Sequence, residues 1–316
     1  MFVFVTITYN HENYIIEHLE SIKYQITHYG KGKEFKLIIS DDQSRDNTIL
    51  LVQKWLEYNP FLFKETEILL VQDNQGIVAN FLKATAAVKQ SPFKLLAGDD
   101  LYYKNNIFDI IEGLEHCEVI FTPIIDFDAD SLINSHQFNN LLMCKNAEQI
   151  KKMLRYMNIF NAPGTFFSNE IILENGLRGF LSSYKWIEDL PCFYYLFNKK
   201  PKIEYYVANE PYIMYRKSVG ISTNKKNEKN NVFTAERNRL ENDLNMLLNR
   251  YPKYINPYRY YWKLRQLKMK YFDSKYNPEI LEYNKNLDQS IQEASKYLEL
   301  IRFRKLEFCK LIGKES

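Results

Sequence analysis

Phe93-Lys94-Leu95-Leu96-Ala97-Gly98-Asp99-Asp100-Leu101-Tyr102-Tyr103 is a short apolar run that stops at two adjacent carboxylates. Its composition and length predict a buried strand with Asp99 and Asp100 at its C-terminal end. Open α/β sheets keep their ligand crevice outside the C-terminal ends of the strands. Two carboxylates in such a crevice repel one another unless a cation joins them. Oxygen ligands select Mg²⁺ or Mn²⁺, ions that commonly travel with phosphate groups. The alternative is a solvated Asp-Asp turn after an edge strand.

The upstream chain favours the crevice. Phe2 to Tyr9 is apolar nearly throughout and rich in β-branched and aromatic residues, as a central parallel strand covered on both faces would be. Ile15, Leu19, Ile22 and Ile26 then recur at helical spacing. Lys36 to Ser40 reads as a second strand, running into Asp41 and Asp42 and the turn-forming Gln43 to Thr48. Leu51, Val52, Trp55 and Leu56 mark a second helix, Glu67 to Val71 a third strand, and Val78, Phe81, Leu82, Thr85 and Val88 a third helix. Alternating strands and helices predict a parallel sheet with right-handed crossovers. Two of its strands end in acid pairs, Asp41-Asp42 and Asp99-Asp100, which should converge on one crevice.

Composition narrows the class. A chain of 316 residues exceeds the size at which one core stops growing, so a large domain with an appendage is expected. The 10 glycines are too few to suggest a glycine-rich phosphate loop, and a net charge of +3 does not mark a nucleic-acid binder. The dispersed Cys117, Cys144, Cys192 and Cys309 fit a reducing, cytoplasmic compartment without a zinc site. No apolar run reaches the roughly 20 residues of a membrane span, and the N-terminal run reads as a strand, not a signal peptide.

Farther on, Glu118 to Thr122 predicts a fifth strand and Ala147 to Tyr156 a helix. Asn161 to Phe167 reads as a loop entering a strand, and Gly176 to Phe180 as a turn. Lys185-Trp186-Ile187-Glu188-Asp189-Leu190-Pro191 precedes an aromatic helix, and Tyr205 to Val207 and Tyr212 to Tyr215 read as strands. Asp126, Asp128 and Asp130 read as a solvated loop, and His11 as a polar loop position. Lys/Asn-rich residues 224–231 predict a linker, so the domains are expected at 1–222 and 223–316. Between Arg250 and Phe272 lie Arg250, Lys253, Arg259, Lys263, Arg265, Lys268 and Lys270 and no acid, interleaved with Tyr254, Tyr258, Tyr260, Tyr261 and Trp262. Such a segment is either a solvated helix pair packed on the main domain or an interfacial helix on a membrane or anionic polymer.

The order of parts resembles family 2 glycosyltransferases. It is carried by Phe2 to Asn10, Ser40 to Thr48, Asp73-Asn74-Gln75-Gly76, Ala97-Gly98-Asp99-Asp100 and Trp186-Ile187-Glu188-Asp189, and covers roughly residues 1–222. The resemblance implies a GT-A fold, Rossmann-like, with a mostly parallel central sheet flanked by helices, here followed by an α-helical C-terminal extension. It implies inverting transfer of a sugar, as a hexosyl- or N-acetylhexosaminyl-transferase, from a nucleotide-diphosphate donor, usually UDP-linked, with Mn²⁺ or Mg²⁺. The acceptor would be a glycan or lipid-linked sugar of a bacterial surface polysaccharide such as capsule or lipopolysaccharide.

By position, the resemblance gives Thr8 and Tyr9 to the base, Asp41 and Asp42 to uracil and ribose, and Asn80 to the nucleotide. Asp99 would contact ribose or sugar, Asp100 the metal, and Arg216 or Lys217 the diphosphate. Asp189 would be the catalytic base with Glu188 beside it, where the residues alone also allow a helix cap. Two departures stand out. Ala97 replaces the first acid of the Asp-any-Asp element, and Ser218 stands where the family often has a histidine. An ion would then rely on phosphate oxygens and water. Rival expectations are a metal-dependent nucleotidyl- or phosphotransferase, and a non-catalytic partner subunit keeping the fold. The basic aromatic tail would place the protein peripherally at the inner membrane face.

Overall fold

The computed structural model describes residues 1–128, 131–134, 138–217, 219, 228–252 and 254–314. The N-terminal half alternates as the sequence predicts: β1 (Phe2–Thr8), α1 (Ile15–Tyr29), β2 (Phe35–Asp41), α2 (Thr48–Glu57), β3 (Glu65–Leu69), α3 (Ile77–Ala87) and β4 (Phe93–Ala97). These strands form a parallel sheet in the order β3-β2-β1-β4. Side chains alternate across a strand, so Phe2 and Phe4 of β1 enter one core with α1 and α2, while Val3 and Val5 enter another with α3. Each of these large side chains, fully withdrawn from water, contributes about 2 kcal/mol.

The chain continues through β5 (Leu101–Tyr102), α4 (Ile107–Glu112), β6 (Val119–Phe121), β7 (Ile124–Phe127), β8 (Leu132–Asn134), α5 (Asn139–Leu142) and α6 (Ala147–Leu154). Then come β9 (Thr165–Phe167), α7 (Asn169–Ile172), α8 (Asn175–Leu181), α9 (Asp189–Tyr194, running into a π turn at Tyr195–Lys199), β10 (Tyr205–Val207) and β11 (Ile213–Arg216). Strands β5-β11-β7-β8 form a mixed sheet, and β10-β6-β9 a smaller one. Residues 176–180, expected as a turn, lie inside α8. Buried Leu177 and Leu181 hold this helix, and Arg178 bonds the Leu82 carbonyl at 2.7 Å and Thr85 Oγ1 at 3.0 Å. Tertiary packing there overrides two helix-weakening glycines.

The C-terminal region is helical: α10 (Glu228–Asp243), α11 (Pro257–Lys268, with a π turn at Met269–Asp273), α12 (Ser274–Tyr276) and α13 (Pro278–Leu311). The linker expected at 224–231 is helical from Glu228, and its first residues lie outside the described ones. Helix α13 packs along α1 and β5. Tyr297 donates to the Tyr102 carbonyl at 2.7 Å, Tyr103 to the Ser290 carbonyl at 2.9 Å, and Lys104 pairs with Glu293 at 2.5 Å. Glu17, His18, Glu20, Ser21 and Gln25 of α1 are buried although polar, and each has a partner: Lys305 of α13 for Glu17, Asp100 for His18, Trp55 for Glu20, Tyr102 for Ser21 and Asn105 for Gln25. The helix faces protein on more than one side.

Candidate active site

The C-terminal ends of β1, β2 and β4 lie side by side in the register Thr8–Asp41 and Ile7–Ala97. Asn10 takes a left-handed φ of 56°, and its side chain accepts from the Arg45 N–H at 2.8 Å. Asp41 accepts from both the backbone and the hydroxyl of Ser44. Asp42 reaches the loop before α3, where its two oxygens accept the N–H groups of Gln75 (2.8 Å) and Gly76 (2.9 Å). Asn80 clamps the end of β2 from beneath, using both amide atoms on Ser40. Gly76 has φ +94°, and a Cβ there would meet the Lys185 backbone oxygen at 2.7 Å. The loop held by Asp42 therefore lies directly against the segment leading to Glu188 and Asp189.

At the β4 end, Gly98 allows a tight approach: a Cβ would come within 3.0 Å of His11 Nδ1 and 3.3 Å of Thr8 Oγ1. Both of those atoms are buried without a hydrogen-bond partner. His11 Nε2 is 3.9 Å from Asp99 Oδ1. His11, expected as an ordinary loop residue, thus sits beside the acid and presents an unmatched polar atom. Tyr9 is half-buried next to Thr8.

Asp100 is almost fully buried. Its Oδ1 accepts the backbone N–H of Arg216 at 2.8 Å. Burial, then the charge of Asp99, pushes its carboxyl well above the usual range, against the pull of Arg216 and Lys94. His18 fixes the Asp100 backbone from behind. Its Nδ1 lies 2.7 Å from the Asp100 carbonyl, which only accepts, so Nδ1–H donates and Nε2 accepts from Thr6 Oγ1 at 2.8 Å. Burial lowers the His18 pKa to about 4, so the neutral ring holds this turn at neutral pH.

Arg216 is committed to the fold. Its Nη2 pairs with Glu17 at 2.6 Å, its Nε donates to the Asp99 carbonyl at 2.8 Å, and its guanidinium lies between the rings of Tyr14 and Phe127. Lys305 of α13 is the second partner of Glu17, at 2.9 Å. Lys217 pairs with Asp126 at 2.9 Å and keeps partial exposure. Asp126, expected in a solvated loop, is instead a buried residue of β7 whose Oδ1 has no partner. Asp128 follows the strand, partly exposed, and accepts from the N–H and hydroxyl of Ser131, and Asp130 lies outside the described residues. Ser218 lies outside the described residues.

Asp189 opens α9. Its Oδ1 accepts from the Leu190 N–H at 2.6 Å, and its Oδ2 from Asn158 Nδ2 at 2.9 Å. Burial raises the pKa of both Glu188 and Asp189, and Asp189 raises Glu188 further, to about 8. Both residues keep some solvent access, which moderates the shifts. The difference between them has a structural cause. Asn158 and Leu190 favour ionised Asp189, so Glu188 is the first of the two acids to take up a proton as pH falls. The segment before them is held from α10, where Glu236 accepts the N–H groups of Lys185 (2.7 Å) and Trp186 (2.6 Å).

Tyr215, on β11, joins the two halves. Burial raises its pKa, followed by the charges of Asp100, Asp99, Asp126 and Asp189. The phenol thus lies within electrostatic reach of acids from the β4–β5 turn, β7 and the start of α9. Asp42 is tied to the segment before Glu188 through Gly76 and through Val78, whose N–H donates to the Lys185 carbonyl at 3.2 Å. Among the described residues, no three His, Cys, Asp or Glu side chains group as a metal cage. Asp100, with one oxygen held by a backbone N–H and an acid neighbour that its nearest arginine does not pair, fits an ion that arrives already coordinated by phosphate and water.

Comparison with known proteins agrees with this architecture. The glycosyl transferase family 2 profile matches residues 3–174. The structure of the first 349 residues of S. aureus TarS in complex with UDP-GlcNAc superposes over 100% of this chain and 93% of its own, with a TM-score of 0.54 at 15% identity. The same TarS fragment in complex with UDP matches over 75% of this chain and 71% of its own, with a TM-score of 0.50 at 18% identity. No curated protein matches by sequence. The fold is GT-A, with a mostly parallel sheet and a helical C-terminal region. The chain belongs to glycosyl transferase family 2 and is a glycosyltransferase.

Proposed function

We propose that the protein transfers a sugar, with inversion, from a nucleotide-diphosphate donor to a hydroxyl of a glycan or lipid-linked acceptor in surface-polysaccharide synthesis at the cytoplasmic membrane face. The observation that carries this reading is the strand-end geometry: Thr8 and Asp41 stand in register beside the end of β4, where the unpartnered Thr8 Oγ1 and His11 Nδ1 approach Gly98 next to Asp99 and Asp100. Such a crevice is strongly acidic and would repel a diphosphate unless a divalent cation came with it. UDP is the preferred nucleotide, supported by the UDP and UDP-GlcNAc complexes of the similarly folded TarS.

In this reading Thr8, His11 and Gly98 border the nucleoside site, with Tyr9 beside them. Their two unmatched polar atoms await its hydrogen bonds. Asp41 and Asp42 shape that site through the loops they hold, and lone pairs remain on both carboxylates for ribose or base. Asp99 would contact ribose or sugar. Asp100 would hold Mn²⁺ or Mg²⁺, which neutralises the charge growing on the departing diphosphate. Lys217 has the exposure to meet that diphosphate, whereas Arg216 supports it from behind by fixing the Asp99-Asp100 turn.

Asp189 takes the proton from the acceptor hydroxyl. The oxygen attacks the anomeric carbon from the face opposite the nucleotide, and the bond to the β-phosphate oxygen breaks, carrying its electron pair with it. The experiment is a donor screen with Mn²⁺ and candidate acceptors, reading the nucleotide released. Acceptor-dependent release of UDP is expected. Release of pyrophosphate, or no turnover of any nucleotide sugar, would remove the proposal.

Glu236 gives a second check. Its two charge-assisted bonds hold the backbone just before the base. Glu236→Ala is expected to lower kcat by about 10- to 100-fold, the effect of sub-ångström misplacement of a reacting group. KM for the donor should stay near its original value, and Glu236→Gln should recover part of the loss. Steady-state kinetics decide; an equal change in kcat and KM, or none, contradicts the role.

A further inference from the structure

Helix α11 carries aromatic and apolar residues, yet none of its residues is buried. Tyr260, Leu264 and Leu267 recur at the spacing of one helix face and are all exposed, and Tyr271 and Phe272 continue the patch through the π turn. Lys263 and Lys270 flank it, also exposed, and Lys268, exposed as well, pairs with Asp273 at 3.0 Å. The opposite side does the packing. Trp262 stacks on Tyr156 with ring centres 5.7 Å apart, and Gln266 bonds Asn140 at 3.1 Å. The reading of this segment as a solvated helix pair with its aromatics packed inward therefore fails for the outer face, which pairs an apolar stripe with basic edges.

We propose that this face lies on an anionic lipid bilayer surface. An amphipathic helix with such a stripe buries it among the acyl chains while lysines reach the headgroups. Charge selects this occupant over a second copy of the chain. Residues 250–272 contain no acid, so a symmetric dimer through this face would set the lysines against one another. None of the described helices is long and apolar enough to cross a membrane, so the contact would be peripheral. The placement also has a consequence for the crevice. Tyr156, stacked under α11, is two residues from Asn158, which holds Asp189. The loop on which α11 packs therefore also holds the proposed catalytic base, Asp189.

The test is flotation of the full chain with vesicles of phosphatidylcholine alone and of phosphatidylcholine mixed with phosphatidylglycerol, and needs no substrate. Salt-sensitive binding to the anionic vesicles is expected. The double variant Lys263→Gln/Lys270→Gln should bind them roughly 25-fold more weakly, about fivefold for each cationic side chain. The triple variant Tyr260→Ser/Leu264→Ser/Leu267→Ser should lose binding while its thermal midpoint and nucleotide binding are retained. Absence of wild-type binding, or equal binding by both variants, would overturn the proposal. So would a wild-type dimer that the triple variant converts to monomer, which would assign the face to a second copy.

Discussion

Asp189→Asn is expected to lower kcat by about 100- to 10,000-fold, the range that a positioned general base contributes, while nucleotide affinity stays unchanged. The substitution is close to isosteric. Asn can still accept from the Leu190 N–H, so the start of α9 should keep its shape, while the bond from Asn158 is lost because Asn158 Oδ1 already accepts the Phe160 N–H at 3.0 Å. The proton acceptor is lost with it. The pH profile adds a sign. Burial raises the Asp189 pKa, and the base works when ionised, so activity should fall as pH drops through a value above the ordinary carboxylate range. Glu188, whose pKa is raised to about 8, is the first of the two to take up a proton as pH falls, and Glu188→Gln copies the protonated form. That variant should retain most activity. A dead Glu188→Gln beside an active Asp189→Asn would transfer the base to Glu188.

Arg216→Met is expected to cost about 3–5 kcal/mol of stability, the penalty for removing one member of a buried ion pair. The guanidinium satisfies Glu17 and the Asp99 carbonyl together and stacks between two rings, and methionine replaces only the packing. Glu17 would then be left buried with Lys305 alone. Burial favours protonated Glu17, but Arg216 and Lys305 outweigh it and hold the folded pKa below 4.5. A depressed pKa contributes stability above the unfolded value that is lost as pH falls through the folded one. The gap between wild type and variant should therefore narrow below about pH 4.5 as Glu17 takes up a proton. Denaturant midpoints across pH measure this. Arg216→Lys should recover only part, because one ammonium cannot copy the two-sided fork. A midpoint unchanged from wild type would show that the Asp99-Asp100 turn is held by other contacts.

The fold was legible where burial is two-sided and local. Strands β1, β2 and β4 are apolar runs that end in polar turns, and their helices repeat at helical spacing, so residues alone place the acid pairs at strand ends. What escaped was decided by distant contacts. Glu17 and His18 interrupt the apolar face of α1, which was the available signal, but their partners Arg216, Lys305 and Asp100 lie far along the chain. Glu236 and Asn158 carry no motif and acquire meaning only when α10 and the 155–161 loop fold against α9. Asp126 and the α8 glycines were read from local polarity, whereas the packing of β7 and α8 set their environment. The aromatic tail was ambiguous because helical spacing reveals a face without revealing which way it points.

Calorimetric titration of UDP, with and without Mn²⁺, into wild type and Asp100→Asn bears most directly on whether the acids surround one nucleotide–cation complex. Asparagine keeps the bond from the Arg216 N–H, so the turn should survive. Wild type should bind UDP more tightly with Mn²⁺ present and bind Mn²⁺ alone weakly, and Asp100→Asn should lose the manganese-dependent gain. An Asp100→Asn protein whose UDP affinity responds to Mn²⁺ as wild type does would contradict the assignment of that crevice.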